Sequence, residues 1–408
     1  MPDRPLARIP VPPGAQGVAA LIEPLRAALD GTGPAIAPIP TVSATTSNEY
    51  VSQLLQATRP ADSSAPLESD EIAVVMATSG STHNPKGVLH SAATITALSA
   101  AALGPIASAP QWIAALPVTS MGGLNVLIRS LGSGLDPIAV SSLGGAAPFT
   151  PQAFNEAFRA ALVRSQDVRV SLVAAQLRRL LADPESSAAL QQCAQILVGG
   201  GPLPLHTAEA ARSANVLITT TYGATETAGG CVFNGKPLSQ VQVSIDAEDS
   251  QIVLSGPMVA LGYRCEPELT SRQFDQGSYR TGDTGTFNDT LLVTGRLDDV
   301  VTINGVNVAV QAVSDALTGH ASVSTCAVLA EADGTGETQL FAAITMTTLD
   351  VDSDALKQEL RAVIRENLGA AAVPRYFALL ESLPMLPNGK VDQRTLKGLI
   401  GDGVTWQR

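Results

Sequence analysis

The sequence predicts an α/β protein in which a large N-terminal domain of α/β layers with a β-rich subdomain precedes a small C-terminal α+β domain. Three observations predict it. From about residue 71, apolar runs of strand length alternate with amphipathic stretches. Between about 239 and 295 the pattern becomes short alternating strands separated by turns. Beyond Asp298 come a helix, a hairpin-like pair and a second amphipathic helix, enough for a compact domain of about 110 residues. The expected division is therefore 1–297 and 298–408.

In chain order, EIAVVMA, QWIAALPV, DPIAV, VRVSLV, AQILVGG and NVLITTTYG read as strands. MGGLNVLIRSL puts Leu124, Leu127, Ile128 and Leu131 on one helical face, and TPQAFNEAFRAAL offers Thr150 as N-cap with Pro151 at the first helical position. Strands return in VQVSIDAEDSQIVLSG and TLLVTGR. They are followed by the helix VQAVSDALTGH, the pair within VSTCAVLAEADGTGETQLFAAITM, and a helix with Leu356, Leu360, Val363, Ile364 and Leu368 on one face. Residues 1 to about 70 are rich in Pro, Ala, Ser and Thr, with one helical patch, VAALIEPLRAAL, and no recognisable chemistry.

At 408 residues, 45% hydrophobic and 15% charged, the chain can bury a large core. A net charge of -12 with no long basic block argues against nucleic acid or an anionic lipid surface as partner. MPDRPLARIPVPPG is broken by prolines before an apolar leader can form, and no uninterrupted apolar run reaches the roughly 18 residues a membrane span needs. A cytoplasmic location is expected. Cys193, Cys231, Cys265 and Cys326 lie far apart with no C-x-x-C pair, so buried free thiols are expected, not a zinc site or a disulfide framework.

ATSGSTHNPKGVLHS, behind the apolar EIAVVM, crowds hydroxyl residues, glycines and one lysine together. It is not a Walker A loop, because Lys86 follows Pro85 and precedes Gly87. Thr78, Ser79, Gly80, Ser81 and Thr82 still supply backbone N–H and hydroxyl donors to an anion with several oxygens. The run equally fits a solvated Ser/Thr loop, and the stretch alone leaves both open. TTTYGATETAGG adds Tyr222, Gly223, Thr225 and Glu226 after another strand: a ring to cover a flat base, a hydroxyl for phosphate and a carboxylate for Mg²⁺. YRTGDTG adds Asp283, suited to accept from ribose hydroxyls; GRLDD adds Arg296, and PNGKVD adds Lys390 on a turn.

These segments, in this order over about residues 71 to 395, resemble the acyl-activating adenylate-forming superfamily. The resemblance implies a fold with a mobile C-terminal domain and a two-step reaction: a carboxylate attacks the α-phosphate of ATP to give acyl-AMP and pyrophosphate, then a thiol displaces AMP. By the same resemblance the loop from Thr78 to Lys86 grips the β- and γ-phosphates, and Gly200 and Gly201 with Tyr222 border the adenine. Thr225 and Glu226 serve phosphate and Mg²⁺, Asp283 holds ribose, and Arg296 ribose or phosphate. Lys390 would span the α-phosphate and the attacking carboxylate, and its removal should cost about two to three orders of magnitude in adenylation. Asp298 matches the hinge and Gly305 the pantetheine channel.

Within the superfamily, LPVTSMGGLNVLIRSL, SLVAAQLRRLL, ILVGGGPLP and TTYGATETAGGCVFNGKPL look most like 2-succinylbenzoate:CoA ligases of menaquinone biosynthesis, the shortened actinobacterial kind. Arg129 and Ser171 then match the residues that hold the carboxylate that does not react. The implied partners are a small carboxylic acid, ATP and CoA, with Mg²⁺; a homodimer is compatible with the resemblance. Two departures stand out: His83 replaces a glycine after TSGST, and Thr119, Ser120 and Met121 replace a His or aromatic near the acyl pocket. Two rival readings remain beside the ligase: a stand-alone adenylation domain loading a carrier protein, and a degenerate nucleotide-binding protein without catalysis.

Overall fold

A computed structural model of the chain describes residues 4–60, 62, 65–78, 85–103, 108–303, 305–332, 337–346, 353–385 and 391–401. Three sheets build the N-terminal part. The first runs Leu6–Val11, Ala35–Pro40, Ile72–Ala77, Gly87–Ser91 and Gly262–Tyr263; its first three strands are parallel and the last two antiparallel. The second has seven strands in the order Lys236–Pro237, Gly229–Phe233, Thr219–Ala224, Gln195–Val198, Val168–Leu172, Gln111–Ala114 and Ile138–Ala139. The third, antiparallel, joins Gln242–Ile245, Gln251–Ser255, Ser278–Phe287 and Phe274–Asp275, with Leu291–Arg296 also paired to Ser278–Phe287.

Alternation along strand Gln111–Ala114 shows how the layers are held. Trp112 and Ala114 join a core that includes Val74 and Met76 of the first sheet, Leu124, Leu127 and Ile128 of helix Met121–Ser133, and Leu21 and Leu25 of helix Ala15–Leu29. Ile113, pointing the other way, packs with Phe154 and Phe158 of helix Pro151–Arg164. Each fully buried large apolar side chain contributes about 1.5–3 kcal/mol, so the two faces lock the parallel sheet between helical layers. Both helices read from the sequence form, and the second begins at Thr150 as expected. Ser120 Oγ accepts from Gly123 N–H at 3.3 Å, and Thr150 Oγ1 accepts from Ala153 N–H at 3.2 Å. Gly134 ends the first of them at φ 72.

From Val300 onward the elements are a hairpin, Val300–Ile303 with Val306–Ala309, and a three-stranded sheet of Val323–Ala332, Thr338–Met346 and Tyr376–Leu379. Helices Val310–Thr318 and Ser353–Leu368 cover that sheet, and their core residues run from Ile303 to Phe377. Residues 4–60 hold more structure than the sequence pattern suggested: two strands and the helices Ala15–Leu29 and Asn48–Thr58. All four cysteines are free, but only Cys231 is buried, which corrects the expectation of four buried thiols. Cys193 follows a helix and Cys265 occupies a turn at φ 57, both at the margins of packed layers. Among the described residues no helix is long and apolar enough to cross a membrane.

Candidate active site

The parallel strands Val168–Leu172 and Gln195–Val198 end level with each other, Thr219–Ala224 runs on past them, and the predicted site residues lie at and beyond these ends. Ligands of open parallel sheets bind at this carboxyl end. Gly200 and Gly201 follow the second strand, whose Val198 pairs with Thr220, and the turn therefore lies alongside Tyr222. Gly223 has no substitute: a Cβ there would meet Gly229 O at 2.0 Å. That close approach lets Thr219–Ala224 fold back tightly on Gly229–Phe233.

Tyr222, Asp283 and Arg296 converge. The Tyr222 hydroxyl donates to Asp283 Oδ2 at 2.8 Å, and Arg296 Nη1 lies 3.3 Å from Asp283 Oδ1. Strand register makes the second contact, since Asp283 and Arg296 are partners on neighbouring strands. Burial, then the Asp283 charge, pushes the Tyr222 phenol well above its ordinary pKa, so it remains a donor.

Thr225 and Glu226 lie on the short turn Thr225–Thr227, with Glu226 only 7% exposed. Glu226 O accepts from Ala260 N–H at 2.9 Å, and Glu226 Oε1 accepts from the Tyr263 hydroxyl at 2.9 Å. Thr225 O lies 2.8 Å from His90 Nε2. A carbonyl only accepts, so His90 carries its proton on Nε2; burial lowers its pKa to about 4 and keeps it neutral. Among the described residues no three His, Cys, Asp or Glu side chains gather as a metal cage. A single buried carboxylate fits magnesium, which keeps several waters and takes its remaining ligands from a substrate's phosphates.

Arg129, on the third turn of helix Met121–Ser133, is 6% exposed and lies 5.2 Å over the Trp112 ring. Its Nε is buried without a hydrogen-bond partner, as is Trp112 Nε1. The neighbouring Asp167 is committed to Arg169 at 2.5 and 2.8 Å, and among the described residues no carboxylate pairs with Arg129. Burial, and then the Arg169 charge, lowers the Arg129 pKa to about 10. Ser171, 6% exposed, follows Arg169 by two residues on the strand beside Trp112 and so shares its face of the sheet. Two buried donors without acceptors are suited to an anion.

Thr78 N–H donates to Lys86 O at 2.8 Å and Lys86 N–H to Thr78 Oγ1 at 3.0 Å, closing the base of the hydroxyl-rich loop. Ser79, Gly80, Ser81, Thr82 and His83 lie outside the described residues, as do Lys390 and the Asp298 side chain. Gly305 stands exposed at the tip of the hairpin that begins at Val300. Tyr263 and His90 belong to the site but carry no motif; the signal for His90 is a lone polar ring in the apolar strand GVLHS, and Tyr263 has none.

Known proteins resemble the chain in sequence and in fold. The family described as AMP-binding enzyme matches residues 19–264, and its C-terminal domain matches 312–390. The chain is 33% identical over 389 residues to a probable 2-succinylbenzoate–CoA ligase of Mycobacterium tuberculosis, covering 94% of this chain and 96% of that protein. It is 30% identical to a 2-succinylbenzoate–CoA ligase of Geobacillus kaustophilus, covering 81% and 70%. A Bacillus subtilis O-succinylbenzoate coenzyme A synthetase, solved with ATP and magnesium ion, superposes with a TM-score of 0.70 at 22% identity over 97% of this chain and 90% of that one. The chain belongs to the AMP-binding enzyme family.

Proposed function

We propose that the chain is an ATP-dependent acid:CoA ligase that converts 2-succinylbenzoate to its acyl-AMP and then to the CoA thioester. The observation that carries the reading is the buried Arg129 guanidinium, without a carboxylate among the described residues, in a chain whose nucleotide-site residues Tyr222, Asp283 and Arg296 converge. An acid with a second carboxylate supplies the missing acceptor, and a monoacid leaves a buried charge unpaired. The two curated relatives named above carry the same substrate in their names.

In the first step a carboxylate oxygen of the acid forms a bond to the α-phosphorus as the bond to pyrophosphate breaks. Thr78 and Lys86, with Ser79, Gly80, Ser81 and Thr82, hold the β- and γ-phosphates; Gly200, Gly201 and Tyr222 border the adenine. Asp283 accepts from the ribose hydroxyls and Arg296 donates to ribose or phosphate. Thr225 donates to phosphate, and Glu226 holds magnesium, which when bound neutralises charge on the phosphates. Lys390 bridges the α-phosphate and the attacking oxygen, where charge grows only in the transition state. In the second step the CoA sulfur bonds to the acyl carbon and AMP leaves with the bonding pair. Rotation about Asp298 brings Gly305 to the pantetheine and removes Lys390.

Incubation with ATP, CoA and 2-succinylbenzoate, read by mass, should give the thioester. Reaction of other aryl acids but not this one removes the substrate assignment; faster turnover with a phosphopantetheine carrier than with free CoA replaces the ligase by a carrier-loading enzyme. ATP binding without pyrophosphate release for any acid removes catalysis altogether.

A further inference from the structure

Side chains from three separate stretches meet beside the Thr225–Thr227 turn. Tyr263 is 2% exposed. Its hydroxyl donates to Glu226 Oε1 at 2.9 Å, and the face of its ring lies 5.0 Å from Lys86 Nζ. Backbone register sets this placement. Gly262–Tyr263 pairs antiparallel with Gly87–Ser91, Tyr263 opposite Val88, and Arg264 N–H donates to Gly87 O at 2.7 Å. The ring is thereby fixed next to the residue where the phosphate loop re-enters the sheet.

The ring has little freedom to drift. It stands edge-on to Phe274 with centroids 5.1 Å apart, and Phe274 packs on Tyr279 at 5.1 Å. Tyr263 N–H donates to Thr270 Oγ1 at 2.9 Å. A phenol has one proton to give, and both Glu226 Oε1 and Gln273 Oε1, at 2.5 Å, lie within reach. The ionised carboxylate is the stronger acceptor. The Gln273 amide, turned about its last torsion, then meets the phenol oxygen through its NH₂ group.

We propose that Tyr263 is a positioning residue for the bound nucleotide: its hydroxyl fixes the Glu226 carboxylate that faces magnesium, and its ring carries the Lys86 ammonium that faces the phosphates. One side chain thus sets the spacing between the metal-holding acid and the phosphate-holding base. The inference rests on the ligase reading, and it adds a role for a residue outside the motifs that support that reading.

Calorimetry of ATP binding to the full chain, without acid or CoA, tests it in EDTA and across a Mg²⁺ series. Tyr263→Phe keeps the ring and loses the hydroxyl: binding in EDTA should stay within about twofold, while the Mg²⁺ concentration at half-effect should rise by about tenfold, the usual loss when a ligand's outer partner is removed. Tyr263→Leu should weaken both. In a Glu226→Gln background Tyr263→Phe should add nothing. An unchanged Mg²⁺ requirement in Tyr263→Phe, equal weakening with and without metal, or a further change in the Glu226→Gln background overturns the role. Failure of Tyr263→Phe to fold overturns it as well, because the hydroxyl is then a structural group. A wild-type chain that binds no ATP with Mg²⁺ overturns the ligase reading itself.

Discussion

The Tyr222 hydroxyl donates to Asp283 Oδ2 at 2.8 Å, although the two residues belong to different sheets. Arg296 approaches the other carboxylate oxygen at 3.3 Å. Asp283 is therefore oriented from two sides before any ligand arrives. Preorganisation of this kind spares the site the entropy of fixing a free carboxylate on binding.

Asp283→Ala should raise the KM for ATP by about ten- to a hundredfold, the loss of a hydrogen bond to a charged group worth about 1.5–3 kcal/mol. Tyr222→Phe should cost less, since Arg296 still orients the carboxylate. The double variant should cost less than the sum, because both changes act on one group. Steady-state rates with ATP varied read all three; additive losses would mean that Tyr222 and Asp283 act independently.

Arg129→Met should lower kcat/KM for 2-succinylbenzoate by on the order of a hundredfold, as truncation of a buried charged partner does, and should spare benzoate. Without substrate the variant should melt at or above the wild-type temperature, because the change removes a buried charge that no described carboxylate compensates. A lower melting temperature with equal losses for both acids would make Arg129 a packing residue on Trp112.

Strands such as Ile72–Ala77 were legible because runs of apolar and β-branched residues have few other homes, the first helix because Leu124, Leu127, Ile128 and Leu131 share a face, and the second because Thr150 and Pro151 announce its start. Leu6–Val11 and Ala35–Pro40 were hidden by their prolines. The first is an edge strand, where Pro10 is tolerated. The second pairs with Ile72–Ala77 at Ile36 opposite Val74, so Pro38 and Pro40 interrupt no ladder on that side. The ordered motifs pointed to Tyr222, Asp283 and Arg296, and the fold brings these three side chains together. Tyr263 stayed invisible because its link to Glu226 is made by pairing of strands far apart in the chain, and no spacing encodes register.

Histidine 90 gives the fold an acid sensitivity of known sign. Its pKa is lowered from 6.5 to about 4 in the folded chain, chiefly by burial. Above pH 6.5 the ring is neutral in both states and contributes no pH dependence. Between pH 6.5 and about 4 the unfolded chain takes up a proton that the folded chain refuses, so stability falls as pH drops, by about 3 kcal/mol across the window. Urea unfolding at pH 7 and pH 4.5 should show a loss in the wild type that His90→Gln does not share. Equal acid losses in the two proteins would place the sensitivity elsewhere.

Gly223 and Gly201 separate close packing from glycine content as such. A Cβ at Gly223 would meet Gly229 O at 2.0 Å, a backbone atom with no rotamer to retreat into; at Gly201 it would meet nothing within 4 Å. Gly223→Ala should therefore destabilise the chain by about 1–3 kcal/mol. Because relief of the clash must push Gly229 away or shift the turn that carries Glu226, it should also slow adenylation more than the lost stability explains. Gly201→Ala should unfold within roughly 0.5 kcal/mol of wild type. Denaturant midpoints, read beside pyrophosphate release, check both. Matching stabilities for the two variants would mean that the strands around Gly223 yield more easily than their hydrogen-bonded pairing implies.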